Sequence, residues 1–206
     1  MTDKTRWEAV YTTKSTTGVS WFQEHADLSL RLIRDTGIAP AASIIDVGGG
    51  ASTLVDDLLT DGFTNVSVLD LSVAALDAAR RRLGPKALLV QWMKADITRA
   101  SLAPNAYDVW HDRALFHFLT TSEDRAAYVH AVLRSVKSGG HLIIATFAED
   151  GPPQCSGLPV IRYSADSLHS EFGASFALLR HEKELHRTPF GAVQQFIYCC
   201  CRKVAS

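Results

Sequence analysis

The chain has 206 residues and a formal net charge of −1, with 47% hydrophobic and 21% charged residues. This length suits one globular domain, the composition excludes a disordered chain, and the near-zero charge argues against nucleic acid as a partner. Neither a signal-peptide core nor an apolar run of ~20 residues is visible, so we expect a cytoplasmic protein without a membrane partner.

The hydrophobic pattern predicts two N-terminal helices and then an alternation of strands and helices. The two helices cover residues 4–11 and 21–36, and the second ends at Gly37. The later elements, in chain order, are a strand at 43–48, a helix at 52–62, a strand at 65–71, a helix at 72–84, strands at 87–96 and 107–112, a helix at 122–140, a strand at 141–148, a helix at 164–172, and strands at 176–187 and 192–203.

This alternation predicts an α/β fold, a doubly wound and mostly parallel sheet of seven strands with helices on both faces. The last two strands are joined by the short segment 188–191, so we expect a C-terminal antiparallel hairpin. We expect one domain over residues 1–206, with an N-terminal helical lid at 1–37 and a core at 42–206. A ligand is expected at the carboxyl ends of the first strands, where the strand order reverses.

The cysteines do not indicate a metal site or a disulfide. Cys155 stands alone, and the run Cys199–Cys201 lies on a strand, where adjacent side chains point to opposite faces. The eight histidines do not form an i, i+4 pair with a third ligand nearby. We therefore expect reduced cysteines buried in the core and no bound metal.

A glycine-rich turn at residues 46–52 joins the first predicted strand to the next helix, and such a turn lets a ligand approach the backbone. The dinucleotide pattern G-x-G-x-x-G is not completed, because Thr53 stands at its third glycine, and no G-K-[ST] phosphate loop is present. Asp46 would repel a phosphate but suits a ligand with a positively charged amino group. Asp70 ends the next strand, where it can accept hydrogen bonds from two ribose hydroxyls.

With Asp96 at the end of the third strand, the chain resembles the class I methyltransferases that use S-adenosylmethionine, and the resemblance covers nearly the whole chain. Ser52 is a mild departure, because family members often have a third glycine there. The resemblance assigns the following residues to the cofactor: Tyr11, Trp21, Asp46, Gly48, Gly50, Ser52, Asp70, Leu71, Asp96, Ile97 and His111.

The same resemblance implies individual roles for these residues. Asp96 would accept a hydrogen bond from the adenine amino group, while Leu71 and Ile97 would flank the ring. Tyr11 and Trp21 belong to an N-terminal lid that would close over the cofactor, above the catalytic core.

Methyl transfer needs the acceptor to be held in line with the methyl group, and it needs a base only if the nucleophile arrives protonated. The candidate catalytic residues are Asp112, Arg113 and His117, at the end of the fourth strand and just after it. Arg113 suits a substrate carboxylate, and His117 suits a base at neutral pH. Two alternatives stay open: Arg113 pairs with Asp112 or supports the loop, and His117 is a structural residue of an apolar stretch.

The segment 149–163 is long and rich in proline and glycine, and it leaves the carboxyl end of a strand. We expect it to cross the mouth of the site, with Cys155 and Arg162 as candidate substrate-binding residues, although a lone cysteine is more often inert. His186 near the hairpin tip is expected to be structural, at the opposite edge of the sheet.

We therefore expect a monomer that transfers a methyl group from S-adenosylmethionine to a small-molecule acceptor by direct in-line displacement. A protein lysine methyltransferase is the alternative, because some small members of the fold also carry an acid followed by a basic residue, as in Asp112–Arg113. A cofactor-binding sensor without activity is a third possibility. Nucleic-acid methylation is disfavoured, since an N-P-P-Y motif and a basic stripe are missing. The sequence does not identify the acceptor.

Overall fold

The computed structural model describes residues 3–13 and 15–205, without the side chains of residues 3 and 4. Its α-helices are α1 (Asp3–Thr13), α2 (Asp27–Arg34), α3 (Leu54–Thr60), α4 (Val73–Leu83), α5 (Ser122–Ser135) and α6 (Ala165–Ser170). Its strands are β1 (Ser43–Val47), β2 (Asn65–Asp70), β3 (Val90–Lys94), β4 (Tyr107–Arg113), β5 (Val136–Phe147), β6 (Gln154–Cys155), β7 (Leu158–Pro159), β8 (Phe176–Arg187) and β9 (Val193–Lys203).

Within the described ranges, seven strands form the main sheet in the order β3-β2-β1-β4-β5-β9-β8, and β6 pairs with β7 in a separate small hairpin. The neighbours from β3 to β5 are parallel, whereas β9 is antiparallel to both β5 and β8. The predicted doubly wound, mostly parallel sheet with a C-terminal antiparallel hairpin is thus confirmed.

Two apolar clusters cover the two faces of the sheet. Ile44 belongs to the cluster that includes residues of α2, α3 and α4, and its neighbour Ile45 belongs to the cluster with residues of α5 and α6. The cysteine run alternates in the same way, with Cys200 in the first cluster and Cys199 and Cys201 in the second. With both faces covered by helices, the loops at the carboxyl ends of the parallel strands are left to form a site.

The second helix is shorter than predicted, because it begins at Asp27 rather than at residue 21. Residues 21–26 are irregular, and their carbonyls have distant partners. The Arg113 side chain donates to the Trp21 carbonyl (3.3 Å), and the Thr53 hydroxyl donates to the Gln23 carbonyl (3.1 Å). In a helix, these carbonyls would accept hydrogen bonds from backbone amides of the same helix instead. The local sequence does not indicate these distant partners.

Two other boundaries differ from the predictions. The helix predicted over 122–140 ends at Ser135, since Val136 already pairs with Tyr107 and Gly139 lies inside β5 at φ +73° instead of ending a helix. The strand predicted over 87–96 begins at Val90, because residues 84–89 form a 3₁₀ helix.

The hairpin tip lies at the edge of the sheet that carries the site, so the expectation that it lies at the opposite edge is wrong. The reason is the direction of β9: Phe196 near its start pairs with Phe147 at the carboxyl end of β5. As a result the His186 ring is buried with its Nε2 2.7 Å from the Ser20 carbonyl oxygen, and the hairpin supports the N-terminal segment.

In the part of the chain that the structure describes, every helix is too short or too polar to span a bilayer.

Candidate functional site

Two neighbouring cavities lie at the carboxyl ends of β1, β2 and β4. The main cavity holds about 850 Å³ of empty space and the side cavity about 570 Å³, and both volumes include open solvent at the mouth. Tyr11, Trp21, Gly48 and Arg113 line both cavities and therefore separate them.

The structure brings most of the predicted site residues to these cavities. On the main cavity lie Tyr11, Trp21, Gly48, Asp70, Leu71, Asp96, Ile97, Arg113 and Cys155. The side cavity adds Asp46, Ser52 and His111.

The glycine turn is shaped by close contacts that exclude larger side chains. Gly48 has φ +73°, and a Cβ there would stand 2.7 Å from the Leu115 side chain. Gly50 has φ +43°, and a Cβ there would stand 2.8 Å from Asp70 Oδ2. Any side chain at Gly50 would therefore fill the space beside the Asp70 carboxylate, where a ligand hydroxyl needs to approach. Ser52 next to the turn accepts a hydrogen bond from the Leu54 amide at the start of α3 (3.2 Å).

Asp70 is a half-buried carboxylate at the tip of β2 with few hydrogen-bond donors of its own. The Ser72 amide donates to Oδ1 (2.8 Å). Burial, together with the nearby acids Asp46 and Glu8, raises the pKa of Asp70 to about 7, although hydrogen bonds from the Ser72 and Leu71 amides lower it. Such a carboxylate favours a ligand that brings hydrogen-bond donors to its ionised form.

We predict that replacing Asp70 by asparagine stabilises the ligand-free protein at pH 8 by on the order of 3–4 kcal/mol. The folded pKa of about 7 lies above the ordinary value of 3.8, so wild-type stability falls as the pH rises from about 4 to 7 and is level above that. Asn keeps the acceptor for Ser72 but carries no charge. Denaturant unfolding at pH 4.5, 6 and 8 measures the difference in unfolding free energy between the variant and the wild type. Asp77→Asn, which changes a partly exposed aspartate paired with Arg80, is the control. A variant less stable than wild type at pH 8 contradicts the account.

Asp96 follows β3 and has a double function. Its Oδ1 accepts hydrogen bonds from the Thr98 amide (3.0 Å) and the Thr98 hydroxyl (2.7 Å), which fixes the turn. Its carboxyl group also lines the main cavity, together with Leu71 and Ile97. An acceptor between two aliphatic side chains suits a flat heterocycle with an exocyclic amino group.

A buried chain of polar groups lies beneath the side cavity. His111 Nδ1 lies 2.7 Å from Asp46 Oδ1, and His111 Nε2 lies 2.9 Å from Ser29 Oγ. All three residues line the side cavity and are almost fully buried. His111 therefore holds the Asp46 carboxyl group in place, at a wall that suits a ligand ammonium group.

The lid segment, which we define as α1 and residues 15–23, closes over both cavities. The Trp21 indole N–H donates to the Tyr11 hydroxyl (3.1 Å). Glu8 accepts hydrogen bonds from the Ser72 hydroxyl (2.9 Å) and the Ala74 amide (3.2 Å) at the start of α4. On the other side, Arg6 donates to the Ser156 carbonyl. The lid segment is thus fixed at both walls of the main cavity.

Arg113 is a buried cation whose nitrogens already have partners. Its Nε donates to the Tyr198 hydroxyl (2.9 Å), Nη2 to Glu184 (3.0 Å) and Nη1 to the Trp21 carbonyl (3.3 Å). Its guanidinium carbon lies 4.2 Å from the centre of the Phe196 ring. Burial by itself would lower the pKa of Arg113, but Tyr198 and Glu184 outweigh burial and raise it. These contacts leave few N–H groups of Arg113 for a substrate carboxylate. Arg113 pairs with Glu184 and not with Asp112, so the first of the two structural alternatives is not formed, and the side chain supports the surrounding segments.

Asp112 and His117 lie away from both cavities, so the geometry does not favour the predicted catalytic roles. Asp112 accepts hydrogen bonds from the Tyr128 hydroxyl (2.6 Å) and the Leu115 amide (2.9 Å), and burial raises its pKa to about 6. His117 is fully buried, its Nδ1 accepts from the Phe147 amide (3.2 Å), and burial with the charge of Arg113 lowers its pKa to about 3. Both side chains support the loop after β4.

Of the two predicted substrate-binding residues, only Cys155 lies at the main cavity. Cys155 is buried and lines the main cavity, and burial raises the pKa of its thiol to about 12. Arg162 is exposed and donates to the Gly151 carbonyl (3.2 Å), so it supports the loop at a distance from the cavities. The reason is that the segment turns back as β6 and β7, which brings Cys155 inward. In the described part of the chain, no three His, Cys, Asp or Glu side chains are grouped as metal ligands.

Several residues of the site have no signal in the sequence. Glu184 lies in the alternating charged pattern of an edge strand and reads as a surface residue, yet it holds Arg113 and accepts from the Gln23 amide group (2.9 Å). Tyr198 and Phe118 read as core residues. The apolar residue Phe118 lines the main cavity and contacts Trp7 at 5.0 Å between ring centres.

Comparisons with known proteins agree with this geometry. Residues 44–140 match the family model described as a methyltransferase domain. Human EEF1A lysine methyltransferase 2 is 24% identical over 187 residues, which cover 84% of this chain and 73% of the human protein. The ubiquinone/menaquinone biosynthesis C-methyltransferase UbiE of Ectopseudomonas mendocina (strain ymp) is 29% identical over 122 residues, or 57% of this chain and 46% of that enzyme.

A solved structure shows the shared fold over nearly the full length. It comes from work on the conversion of a disulfide bond into a thioacetal group during echinomycin biosynthesis. It superposes with a TM-score of 0.79 at 18% identity and covers 98% of this chain and 91% of that one.

Proposed function

Because this chain belongs to the class I S-adenosylmethionine-dependent methyltransferases, we propose that it methylates a small-molecule acceptor by direct in-line displacement. The observation that carries the proposal is the covered main cavity. The lid segment is fixed to α4 through Glu8 and to the loop at Ser156 through Arg6. An acceptor has to fit beneath this cover, which favours a small molecule over the surface of a folded protein.

The residues at the cavities fit the cofactor. Asp70 would hold the ribose hydroxyls and Asp96 the adenine amino group, with Leu71 and Ile97 on the ring. The space beside the Asp70 carboxylate that a Cβ at Gly50 would fill is the observation that supports this placement. The side cavity, with Asp46 and His111, would hold the amino-acid end, and Ser52 lies on its rim.

The cofactor supplies a methyl group that is already activated on a sulfonium. The protein therefore has to orient the two reactants and exclude water, and such positioning can supply ~7–11 kcal/mol of the barrier. Tyr11 and Trp21 close the junction of the two cavities, and Arg113 fixes the backbone of Trp21. These residues would keep the acceptor in line with the methyl group.

Protein lysine methylation is the second candidate. It is favoured by the human relative, which is named a lysine methyltransferase and whose match extends over 84% of this chain. A lysine side chain would have to enter the main cavity beneath the lid segment, so this function requires α1 to move away from α4.

Transfer of a labelled methyl group separates the two candidates. The purified protein is incubated with methyl-labelled S-adenosylmethionine and either a deproteinised small-molecule extract or dialysed lysate proteins. We expect label in the small-molecule fraction and none above background in protein bands, and no label in either fraction with Asp70→Ala. Label that appears only in a protein band contradicts the small-molecule proposal and supports the lysine alternative.

We further propose that the protein acts as a cytoplasmic monomer of a single domain and does not act on nucleic acid. The net charge of −1 gives no attraction to a phosphate backbone. The lid segment closes the site from within the same chain, so the site needs no second copy.

A further inference from the structure

We propose that the acceptor is a neutral molecule whose nucleophile is a thioether sulfur or a weakly basic tertiary nitrogen, and that methylation turns it into a cation. The inference rests on the proposed function, because it names the acceptor class of the same site.

The acceptor side of the main cavity has aromatic walls. Trp7 lies 5.7 Å from Trp21 and 5.0 Å from Phe118 between ring centres, with interplanar angles of 78° and 74°. Trp7, Trp21 and Phe118 all line the main cavity, and their neighbouring rings are nearly perpendicular, so they form adjacent aromatic walls, which we call the box. Tyr11 extends it, at 6.3 Å from Trp21. A box of this kind attracts onium groups, because a cation is stabilised near aromatic rings.

The same walls offer no base among the described residues. The Cys155 thiol has its pKa raised to about 12 by burial, and burial also raises the pKa of the Tyr11 phenol. Arg113 is a cation and has no acceptor atom. The carboxylates of Asp70 and Asp96 belong to the strand tips that would hold the adenosine. An acceptor that must lose a proton, such as an ammonium group or a thiol, would therefore find no residue free to take it.

The charge of the box also permits a cationic product. The Arg113 cation is paired with Glu184 at 3.0 Å and is covered by Phe196, so its repulsion of another cation is cancelled locally. Apart from the Asp70 and Asp96 carboxylates, which would hold the adenosine, the other side chains on the main cavity are aromatic, aliphatic or a thiol and carry no charge.

The reaction balances without a proton. The acceptor lone pair forms the new bond to the methyl carbon while the carbon–sulfur bond breaks, and that electron pair stays on the departing sulfur. One sulfonium is consumed and one onium cation is formed. No oxidant, reductant or base is required, which agrees with the lack of a free base among the side chains that line the box.

A pair of probes of equal shape tests the box. Choline and 3,3-dimethylbutan-1-ol differ only in the charge of the quaternary centre. Their dissociation constants are measured by calorimetry with the full chain saturated with S-adenosylhomocysteine. We expect choline to bind at least tenfold more tightly. The ratio of the two dissociation constants should fall towards one in Trp7→Leu and be largely kept in Trp7→Phe. It should be unchanged in Trp92→Leu, because the Trp92 indole lies outside the cavities and donates to the Ala87 carbonyl.

The outcomes separate this inference from its premise. If S-adenosylhomocysteine itself does not bind, the proposed function fails and the inference fails with it. If it binds but choline shows no preference, or no binding, the acceptor class is wrong while the methyltransferase function stands. A preference that survives in Trp7→Leu also overturns the box.

Turnover then distinguishes the two acceptor atoms. Benzyl methyl sulfide and N,N-dimethylaniline are each incubated with methyl-labelled cofactor, and the cationic products are separated by mass spectrometry. The faster probe identifies sulfur or nitrogen, and its rate is expected to be level between pH 7.5 and 8.5. Faster methylation of benzylamine or benzyl mercaptan than of both probes contradicts the inference.

Discussion

Replacement of Asp70 by alanine is expected to weaken the binding of S-adenosylhomocysteine at least 100-fold. Two ribose hydroxyls would donate to this carboxylate, and a hydrogen bond to a charged group contributes about 1.5–3 kcal/mol. Loss of both corresponds to on the order of 3–6 kcal/mol, or 10² to 10⁴ in affinity. Burial of Asp70 at the tip of β2 makes water a poor substitute for the lost acceptor.

Calorimetry at pH 8 measures the affinity. Asp77→Ala is the control, because it removes an aspartate of the following helix α4 that pairs with Arg80 (2.9 Å) and lies outside both cavities. Asp70→Asn should bind with intermediate affinity, since one acceptor remains. Wild-type affinity in Asp70→Ala, with an unchanged far-UV spectrum, would remove Asp70 from the site.

Asp70→Asn is expected to change both stability and cofactor affinity, in opposite directions. The variant is expected to be more stable than wild type at pH 8 and yet to bind the cofactor less well. A half-buried carboxylate that lowers stability and raises affinity serves ligand binding, because the ligand supplies the donors that the folded protein lacks.

Replacement of Arg113 by methionine is expected to destabilise the protein by about 3–5 kcal/mol. The change leaves Glu184 partly buried without its cation and leaves the Trp21 carbonyl without its donor. It also removes the guanidinium from the Phe196 ring. Since Arg113 connects the lid segment to the hairpin β8–β9, methyl transfer should fall as well.

Denaturant unfolding at pH 7.5 measures the loss, and two variants control it. Arg113→Met combined with Glu184→Gln should recover about half of the stability, because no buried charge is left unpaired. Lys183→Met removes an exposed pair with Asp150 (3.3 Å) and should change stability by less than about 1 kcal/mol. Equal losses for Lys183→Met and Arg113→Met would show that the buried network contributes nothing of its own.

Arg113 is also one end of a continuous polar chain between the cavities. From Asp46 it runs through His111 and Ser29 to Tyr198, whose hydroxyl lies 3.4 Å from Ser29 and accepts from Arg113 at 2.9 Å. The wall of the side cavity and the wall of the main cavity are therefore held by one set of contacts. Loss of Arg113 should disturb both.

The parts of the site that the sequence alone determined are local. The glycine turn and the acids at 46, 70 and 96 could be placed because each lies at or just after the carboxyl end of a strand, and the carboxyl ends of parallel strands meet at one edge. The fold class and the hairpin followed in the same way from periodicity and turn residues. A side chain's position along a strand fixes the edge and the face it occupies, without knowledge of distant partners.

The tertiary structure decided what each side chain contacts once elements from distant parts of the chain come together. Arg113 turned from a candidate substrate ligand into a buried support because Glu184, Tyr198 and Trp21 meet there, 71, 85 and 92 residues away in sequence. The antiparallel direction of β9 placed the hairpin tip beside the site. Hydrogen bonds between residues so far apart in sequence depend on the packing of the whole sheet. The hydrophobic periodicity of the sequence carries no information about them.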